Sequence, residues 1–460
     1  MDRIENDLSK GNVLSKLVLF ALPFLASNLI QSLYNVADML IVGRFCGTES
    51  MSGVHIGGQI TIIFTHSIMG LCVGGTVLIG QYIGAKNQEA QRKTTVTLIT
   101  LLVILSIVIT AVMIFMRNPV LRLVRTPRES FPEAERYLIV TLTGIIFIFG
   151  YNALSAILRG MGNSKQPLYY VAVACVTNIF LDLLLVAVLK WAAFGAALAT
   201  VISQAICVLL CIRFLVKNNF QFDFKLRSFR IYKEQLRLIL KIGLPTLIQN
   251  SISSISFTSI SAIVNVVGGV TASAGVGAAA KFNSFAFMPI QAMSSSVSIM
   301  SAQNYGARKI DRAVSGCRIG IIISVCVSYP LFILVMTSPA SVLRIFGSDP
   351  QMIQDGVTYI RSFAFEYLLV PFMFCINGFL IGGGHTIFTF VNTIMAAVLL
   401  RVPVCYFFGI TLGWGLKGVG MGAPSSSVGA LIVITIYLLT GRWKHNIVRH
   451  DYTAPIVVSE

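Results

Sequence analysis

Long apolar runs, separated by short polar connections, dominate the pattern of the chain. A helix of about 20 apolar residues is long enough to cross a bilayer. The pattern predicts an all-α membrane protein with twelve transmembrane helices. They lie near residues 14–42, 54–80, 94–116, 137–158, 167–189, 191–216, 238–266, 276–302, 316–338, 357–380, 387–410 and 416–440. The least secure division is that of 167–216, where LKWAAFG supplies the turn between two helices.

The two halves of the chain repeat each other at an offset of 222 residues. At this offset Pro23 aligns with Pro245, Asn28 with Asn250, and QYIGAKN with QNYGARK. An even number of helices per half makes both halves start on the same side of the membrane. We therefore predict two parallel six-helix lobes with a central cleft, as in many secondary transporters. The predicted divisions are an N-terminal lobe (1–216), a cytoplasmic linker (217–236), a C-terminal lobe (237–440) and a cytoplasmic tail (441–460).

Composition and charge agree with a multi-pass membrane protein. The chain is 55% hydrophobic and 12% charged, whereas a soluble domain carries about 25% charged residues. With both termini in the cytoplasm, 23 of the 35 Lys and Arg residues fall in cytoplasmic segments, Arg159 among them. This bias follows the positive-inside rule. The net charge of +17 is therefore interpreted as loops that face anionic lipid, not as a nucleic-acid surface.

Three acidic residues fall inside predicted helices: Asp38, Asp182 and Glu366. A carboxylate in hydrocarbon costs about 2.5–3.5 kcal/mol on insertion scales, which makes each one a candidate functional residue. Asn178 precedes Asp182 by four residues, so both lie on one helix face. On the next helix Ala196 and Thr200 repeat that spacing.

The depths of these polar residues converge. A rise of about 1.5 Å per residue places Asp38, Asp182 and Thr200 about 9, 12 and 13 Å below the outer ends of their helices. Oxygen ligands and two negative charges suit a hard cation. The simpler alternative is polar contact between neighbouring helices, which is common in membrane bundles.

The second lobe has no counterpart of this cluster. The 222-residue offset aligns Asp38 with Ile260 and Asp182 with Val404. Polar groups that serve only packing would be expected in both lobes, so the asymmetry favours a specialised site. In the second lobe we predict instead an ion pair or triad of Lys281, Glu366 and Arg401.

The order and spacing of four motifs resemble the multidrug and toxic compound extrusion (MATE) transporters over about residues 10–440, and the two acids of the N-terminal lobe resemble the DinF-like bacterial branch of that family. The motifs are NVADMLIVGRFCG, GQYIGAKN, ILRGMGNSKQPL and NIFLDLLLV. The resemblance implies export of bulky, often cationic, small-molecule compounds, driven by inward H⁺ or Na⁺, across a bacterial plasma membrane. It implies no cofactor beyond the coupling ion and a functional monomer.

The resemblance also implies roles for individual residues. In DinF-like members the H⁺/Na⁺ site matches Asp38, Asn178, Asp182, the backbone carbonyl of Ala196, and Thr200. Asn152 on the fourth helix is a weaker candidate. Bending of the first helix at a matching proline implies a gating role for Pro23. We expect the cleft to draw its walls from aromatic and methionine residues such as Phe149, Tyr151, Met161, Phe282, Phe287 and Met288.

Three other classes remain as alternatives. A membrane enzyme is disfavoured, since the sequence has no HExxH, nucleophile elbow or P-loop. A passive channel is disfavoured by the asymmetric two-lobe repeat. A flippase for lipids or lipid-linked oligosaccharides is the stronger alternative. It requires a basic cavity, and only Lys281 and Arg401 lie away from the ends of the predicted helices.

Overall fold

The fold is taken from a computed structural model that describes residues 6–218, 220, 222 and 224–445. Over this part of the chain the regular structure is helical and contains no strand. The long helices are α1 (Val13–Phe45), α2 (Gly47–Gly84), α3 (Gln88–Leu123), α4 (Phe131–Thr143 and Ile145–Gly160), α5 (Lys165–Val188), α6 (Ala192–Lys217), α7 and α8 (together Lys233–Gly306), α9 (Ile310–Thr337), α10 (Pro350–Phe363 and Glu366–Gly382), α11 (Thr386–Thr411) and α12 (Gly415–Leu439). The short helices are Leu226–Ser228, Pro339–Arg344 and Arg442–Lys444.

The described residues confirm the prediction of twelve spanning helices. Nine helices are long and apolar enough as they stand, and two bent pairs, α4 and α10, bring the number to eleven. The twelfth comes from the 74-residue segment Lys233–Gly306, which breaks at Gly269. Gly269 has a φ of 66°, a left-handed conformation that glycine adopts without steric cost. Gly47, at the 222-residue offset, separates α1 from α2 with a φ of 75°.

The bends in α4 and α10 were not predicted. They measure 49° and 52°, and they lie at Gly144 and after Phe363, again close to the 222-residue offset. The repeat therefore extends to the irregular points of the helices as well as to their order.

Small residues bring the two lobes into backbone contact. A Cβ atom added to Gly74 on α2 would lie 2.6 Å from the carbonyl oxygen of Ile239 on α7. One added to Gly243 would lie 2.9 Å from the Cα atom of Leu71. Such glycines let membrane helices approach closely, because lipid supplies no hydrophobic force to join them.

Two glutamines join the lobes at the end of the bundle predicted to be cytoplasmic. Gln81 Nε2 on α2 donates a hydrogen bond to the carbonyl of Gly382 on α10, at 2.8 Å. Gln303 Nε2 on α8 donates to the carbonyl of Gly160 on α4, at 3.3 Å. The glutamines are 222 residues apart, and so are the glycines. We call these four residues the inter-lobe clasp.

The N-terminal segment 6–10 lies across the inter-lobe clasp and makes it asymmetric. The backbone N–H of Asn6 donates to the carbonyl of Met161 on the N-terminal lobe, at 2.9 Å. The backbone N–H of Leu8 donates to Gln303 Oε1 on the C-terminal lobe, at 2.7 Å. Gln81 Oε1 has no hydrogen-bond partner among the described residues. Gln303 therefore makes more of the hydrogen bonds that keep this end closed than Gln81 does.

Candidate cation site and inter-lobe cavity

The predicted acidic residues of the N-terminal lobe come together. Asp38 lies on α1, and Asn178 and Asp182 lie one turn apart on α5. The side chains of Asn178 and Asp182 are fully buried, and Asp38 is half-buried. The carboxyl groups of Asp38 and Asp182 lie close enough to share a hydrogen bond when one of them carries a proton.

The polar atoms of this cluster lack hydrogen-bond partners. Within the described residues, no partner is found for Asp38 Oδ1, for either oxygen of Asp182, or for either polar atom of Asn178. The large majority of buried polar atoms in proteins are paired. Two carboxylates without partners are costly in a low-dielectric site. A proton shared by the carboxyls, or a cation held by their oxygens, removes this cost.

The backbone of α5 changes at the same point. Asp182 ends the regular α-helix, and the wider π-helical segment Leu183–Val188 follows it. π-helical turns are rare and are frequent at functional sites. The equivalent region of α11 is also π-helical, at Phe407–Thr411. The wider turn is thus shared by both lobes, whereas the carboxylate is not.

Two tyrosines near the carboxyl pair were missed by the sequence analysis. The hydroxyl groups of Tyr34 on α1 and Thr200 on α6 lie 3.0 Å apart. Tyr34 and Tyr137, on α4, both lie near Asp38 and Asp182. Tyr34 could have been found from the sequence, because it precedes Asp38 by one helical turn and therefore lies on the same helix face. No sequence pattern pointed to Tyr137.

The other predicted residues take different positions. Ala196 is fully buried among Val42, Tyr137 and neighbouring apolar side chains. Thr200 is linked to the carboxyl cluster through its hydrogen bond with the Tyr34 hydroxyl. Asn152 lines a cavity between the lobes and donates to the carbonyl of Ile148 at 2.8 Å.

Pro23 lies within α1, fifteen residues before Asp38. A proline inside a helix removes one backbone hydrogen bond. The hydroxyl of Ser27 also donates to the carbonyl of Pro23, at 2.8 Å. Serine bonds of this kind often bend helices, so α1 has two local causes of bending at one turn.

The C-terminal lobe contains an internal ion pair. Arg401 Nη2 lies 3.9 Å from Glu366 Oε1, which also accepts a hydrogen bond from the Ser427 hydroxyl at 2.8 Å. Of the predicted ion pair or triad, the described structure contains the pair Glu366–Arg401. Lys281 is exposed and forms no ion pair with Glu366 there. The long side chain of a lysine lets its ammonium group remain outside an apolar interior.

The inter-lobe cavity has a volume of about 200 Å³ and draws residues from α1, α2, α4, α7, α8 and α10. Its charged lining residue is Arg159, which the sequence analysis placed among the cytoplasmic charges. The side chain of Arg159 instead turns from the last turn of α4 toward Phe24 on α1. The expectation for Phe149, Tyr151 and Met161 is also corrected, because all three are buried in the apolar core of the N-terminal lobe.

Comparison with known proteins gives a consistent result. A model of the MatE family matches residues 23–184 and 245–407, and the two matches begin 222 residues apart. The chain is 30% identical to the Bacillus subtilis probable multidrug resistance protein YpnP, over 95% of this chain and 97% of the relative. It is 25% identical to the Thermotoga maritima probable multidrug resistance protein NorM, over 93% of each chain.

The solved structures agree with these relatives. An outward-facing structure of a multidrug resistance MATE family transporter of the MOP superfamily superposes with a TM-score of 0.86 and 25% identity. The alignment covers 94% of this chain and 97% of that one. The twelve-helix, two-lobe architecture is therefore shared along nearly the full length.

Proposed function

Because the chain belongs to the MatE family and is thus a secondary transporter and not an enzyme, we propose that it exports bulky organic compounds, often cationic, in exchange for H⁺ or Na⁺. The observation that carries this proposal is the cluster of Asp38, Asn178 and Asp182, whose buried polar atoms lack partners. Proton coupling is preferred, with Na⁺ binding possible at the same oxygens. The membrane is the bacterial plasma membrane, both termini are cytoplasmic, and the monomer is the working unit.

The mechanism follows from the charge of the carboxyl pair. When the site is empty, the ionised carboxyls of Asp38 and Asp182 repel each other. An entering H⁺ or Na⁺ removes the repulsion and favours tighter packing of α1 against α5. If α1 bends at Pro23 in this step, the wall of the central cleft moves and the organic substrate leaves outward. The ion then leaves on the inner side, where it is scarcer.

The driving force is adequate for this exchange. One charge that moves through 100 mV yields about 2.3 kcal/mol, and a tenfold concentration ratio corresponds to about 1.4 kcal/mol. One ion per cycle therefore supports a gradient on the order of tens-fold for a neutral substrate. Export of a cation requires more ions or a chemical gradient in addition.

A flippase for lipid-linked compounds is the alternative function. One structural observation, absent from the sequence analysis, favours it. Arg159 adds a positive charge to the cavity between the lobes. The cavity of about 200 Å³ is nevertheless small beside ligand pockets of about 300–1,000 Å³. The asymmetric carboxyl pair also has no role in a flippase that needs only a basic cavity.

Transport in proteoliposomes tests the proposal. Ethidium export is measured under separate H⁺ and Na⁺ gradients for the wild type, Asp182→Asn and Asp38→Asn. Asp182→Asn preserves shape and removes charge, so we expect export to lose its response to the ion gradient. Asp38→Asn should resemble the ion-loaded state and retain substrate poorly. Full export by Asp182→Asn at normal protein levels would show that the cluster is packing and not a coupling site.

A further inference from the structure

Arg159 is a charged side chain without a counter-charge. It lies in the last turn of α4 and lines the inter-lobe cavity, with its guanidinium carbon 5.4 Å from the ring centre of Phe24. Among the described residues no carboxylate pairs with it and no side chain or carbonyl accepts its protons. The ionisable groups that interact with it are Tyr151 and Cys72, which are neutral when protonated. An aromatic face compensates a cation only in part.

Among the residues that line the cavity, Arg159 is the charged hydrogen-bond donor. The hydroxyl of Thr76 donates to the carbonyl of Ala156 at 2.9 Å, and that of Ser294 donates to the carbonyl of Phe374 at 2.6 Å. The protons of these two hydroxyls are therefore already used in hydrogen bonds within the protein. The guanidinium retains its fork of N–H groups, a geometry that matches a carboxylate with two parallel hydrogen bonds.

We propose that Arg159 binds the carboxylate of an amphiphilic organic substrate, so that zwitterions and organic anions are bound in the inter-lobe cavity beside the cations expected of an exporter. The volume of about 200 Å³ accommodates the acidic end of such a compound, and the remainder extends into the cleft. Apolar side chains such as Phe24 and Val73 contact its hydrocarbon part. This inference rests on the proposed function of the chain as an exporter of small molecules.

The position of Arg159 also places the carboxylate next to the closed end. Arg159 directly precedes Gly160, whose carbonyl accepts the hydrogen bond from Gln303 in the inter-lobe clasp. A substrate that reaches Arg159 therefore lies at the bottom of the cleft, against the residues that separate when the predicted cytoplasmic end opens.

A matched pair of ligands tests the proposal. Rhodamine B carries a free carboxylate, and its ethyl ester has the same ring system without that charge. Their affinities for the purified full-length protein are measured by fluorescence polarisation. In Arg159→Gln we expect the preference for the acid over the ester to fall about tenfold, equivalent to about 1.4 kcal/mol. Arg159→Lys should retain part of the preference. Arg213→Gln, which removes an exposed arginine of α6, should change neither affinity.

Three results would overturn the inference. Equal loss of acid and ester binding in Arg159→Gln would make Arg159 a structural residue. An unchanged preference for the acid would remove it from recognition. Arg159-dependent binding of short-chain phosphatidic acid, with no effect on rhodamine B, would assign the cavity to lipid. In each case ion-driven export of the ester, abolished in Asp182→Asn, would show separately that the proposed function stands.

Discussion

Removal of the Gln303 side chain should open the predicted cytoplasmic end much more than removal of its repeat partner. Gln303→Ala deletes two hydrogen bonds, one to the carbonyl of Gly160 and one from the backbone N–H of Leu8. Gln81→Ala deletes one, to the carbonyl of Gly382. At a net value of about 1 kcal/mol per bond, the expected shifts are about 2 and about 1 kcal/mol. These correspond to about 30-fold and about fivefold changes in the ratio of closed to open molecules.

Distances between spin labels measure this ratio. One label is placed at Glu129 and one at Ser348, exposed residues in the connections at the opposite end of each lobe, after the nine native cysteines have been replaced. Opening of one end brings the other ends together, so the population with a short label distance should rise most in Gln303→Ala. Gln249→Ala is the matched control, because Gln249 bonds Thr393 within one lobe, at 2.7 Å.

Equal effects of Gln303→Ala and Gln81→Ala would refute the reasoning that the N-terminal segment reinforces one half of the inter-lobe clasp. An effect of Gln249→Ala as large as that of Gln303→Ala would show that the label distance reports general loosening of the bundle and not separation of the lobes.

Three further predictions concern closure of the lobes, the ion pair of the second lobe, and Tyr34. Gly84→Ala should populate the cytoplasmic-open form and reduce export, because its Cβ atom would overlap the backbone carbonyl oxygen of Gln303 in the other lobe. Gly277→Ala is the control and should have neither effect, because the space around Gly277 is open. Arg401→Met should lower the free energy of unfolding by about 3 kcal/mol, since it leaves buried Glu366 without a counter-charge. In a thermal unfolding assay, the double variant Arg401→Met, Glu366→Gln should recover most of this loss. Failure to recover it would mean that Arg401 acts by packing. Tyr34→Phe should weaken ion binding about fivefold through loss of about 1 kcal/mol, and unchanged ion-dependent fluorescence quenching would remove Tyr34 from the site.

The fold could be predicted largely from the sequence, because the bilayer restricts the possible solutions. Apolar runs of sufficient length gave the twelve helices, and the fixed 222-residue offset gave their division into two lobes. The bend in α4 at Gly144 and the π-helical turn after Asp182 could not be predicted, since both lie at close packing against α6. Gly144 lies against the side chain of Val201, and Leu185 lies against Gly195. The same holds for the inter-lobe clasp, in which glutamine side chains find backbone carbonyls of the opposite lobe.

The candidate site was predicted in part. Acidic residues are so costly in hydrocarbon that Asp38 and Asp182 were visible in the sequence, and the four-residue spacing added Asn178. Tyr137 could not be found, because a tyrosine in an apolar helix is common and only packing brings it to the carboxyl pair. The role of Arg159 in the cavity could not be predicted, because the sequence places it only at a helix end, and the direction of its side chain depends on packing between the lobes.

Substrate affinity measured against pH and Na⁺ tests the central claim most directly. Binding of a fluorescent organic cation to the purified wild type is compared with binding to Asp182→Asn. Because coupling between two ligands is reciprocal, an ion that drives export must weaken substrate binding as it loads the carboxyl pair. We predict that acidification or added Na⁺ lowers the affinity of the wild type, and that Asp182→Asn abolishes this response. Wild-type affinity that is insensitive to both ions, or a response that persists unchanged in Asp182→Asn, would contradict the account.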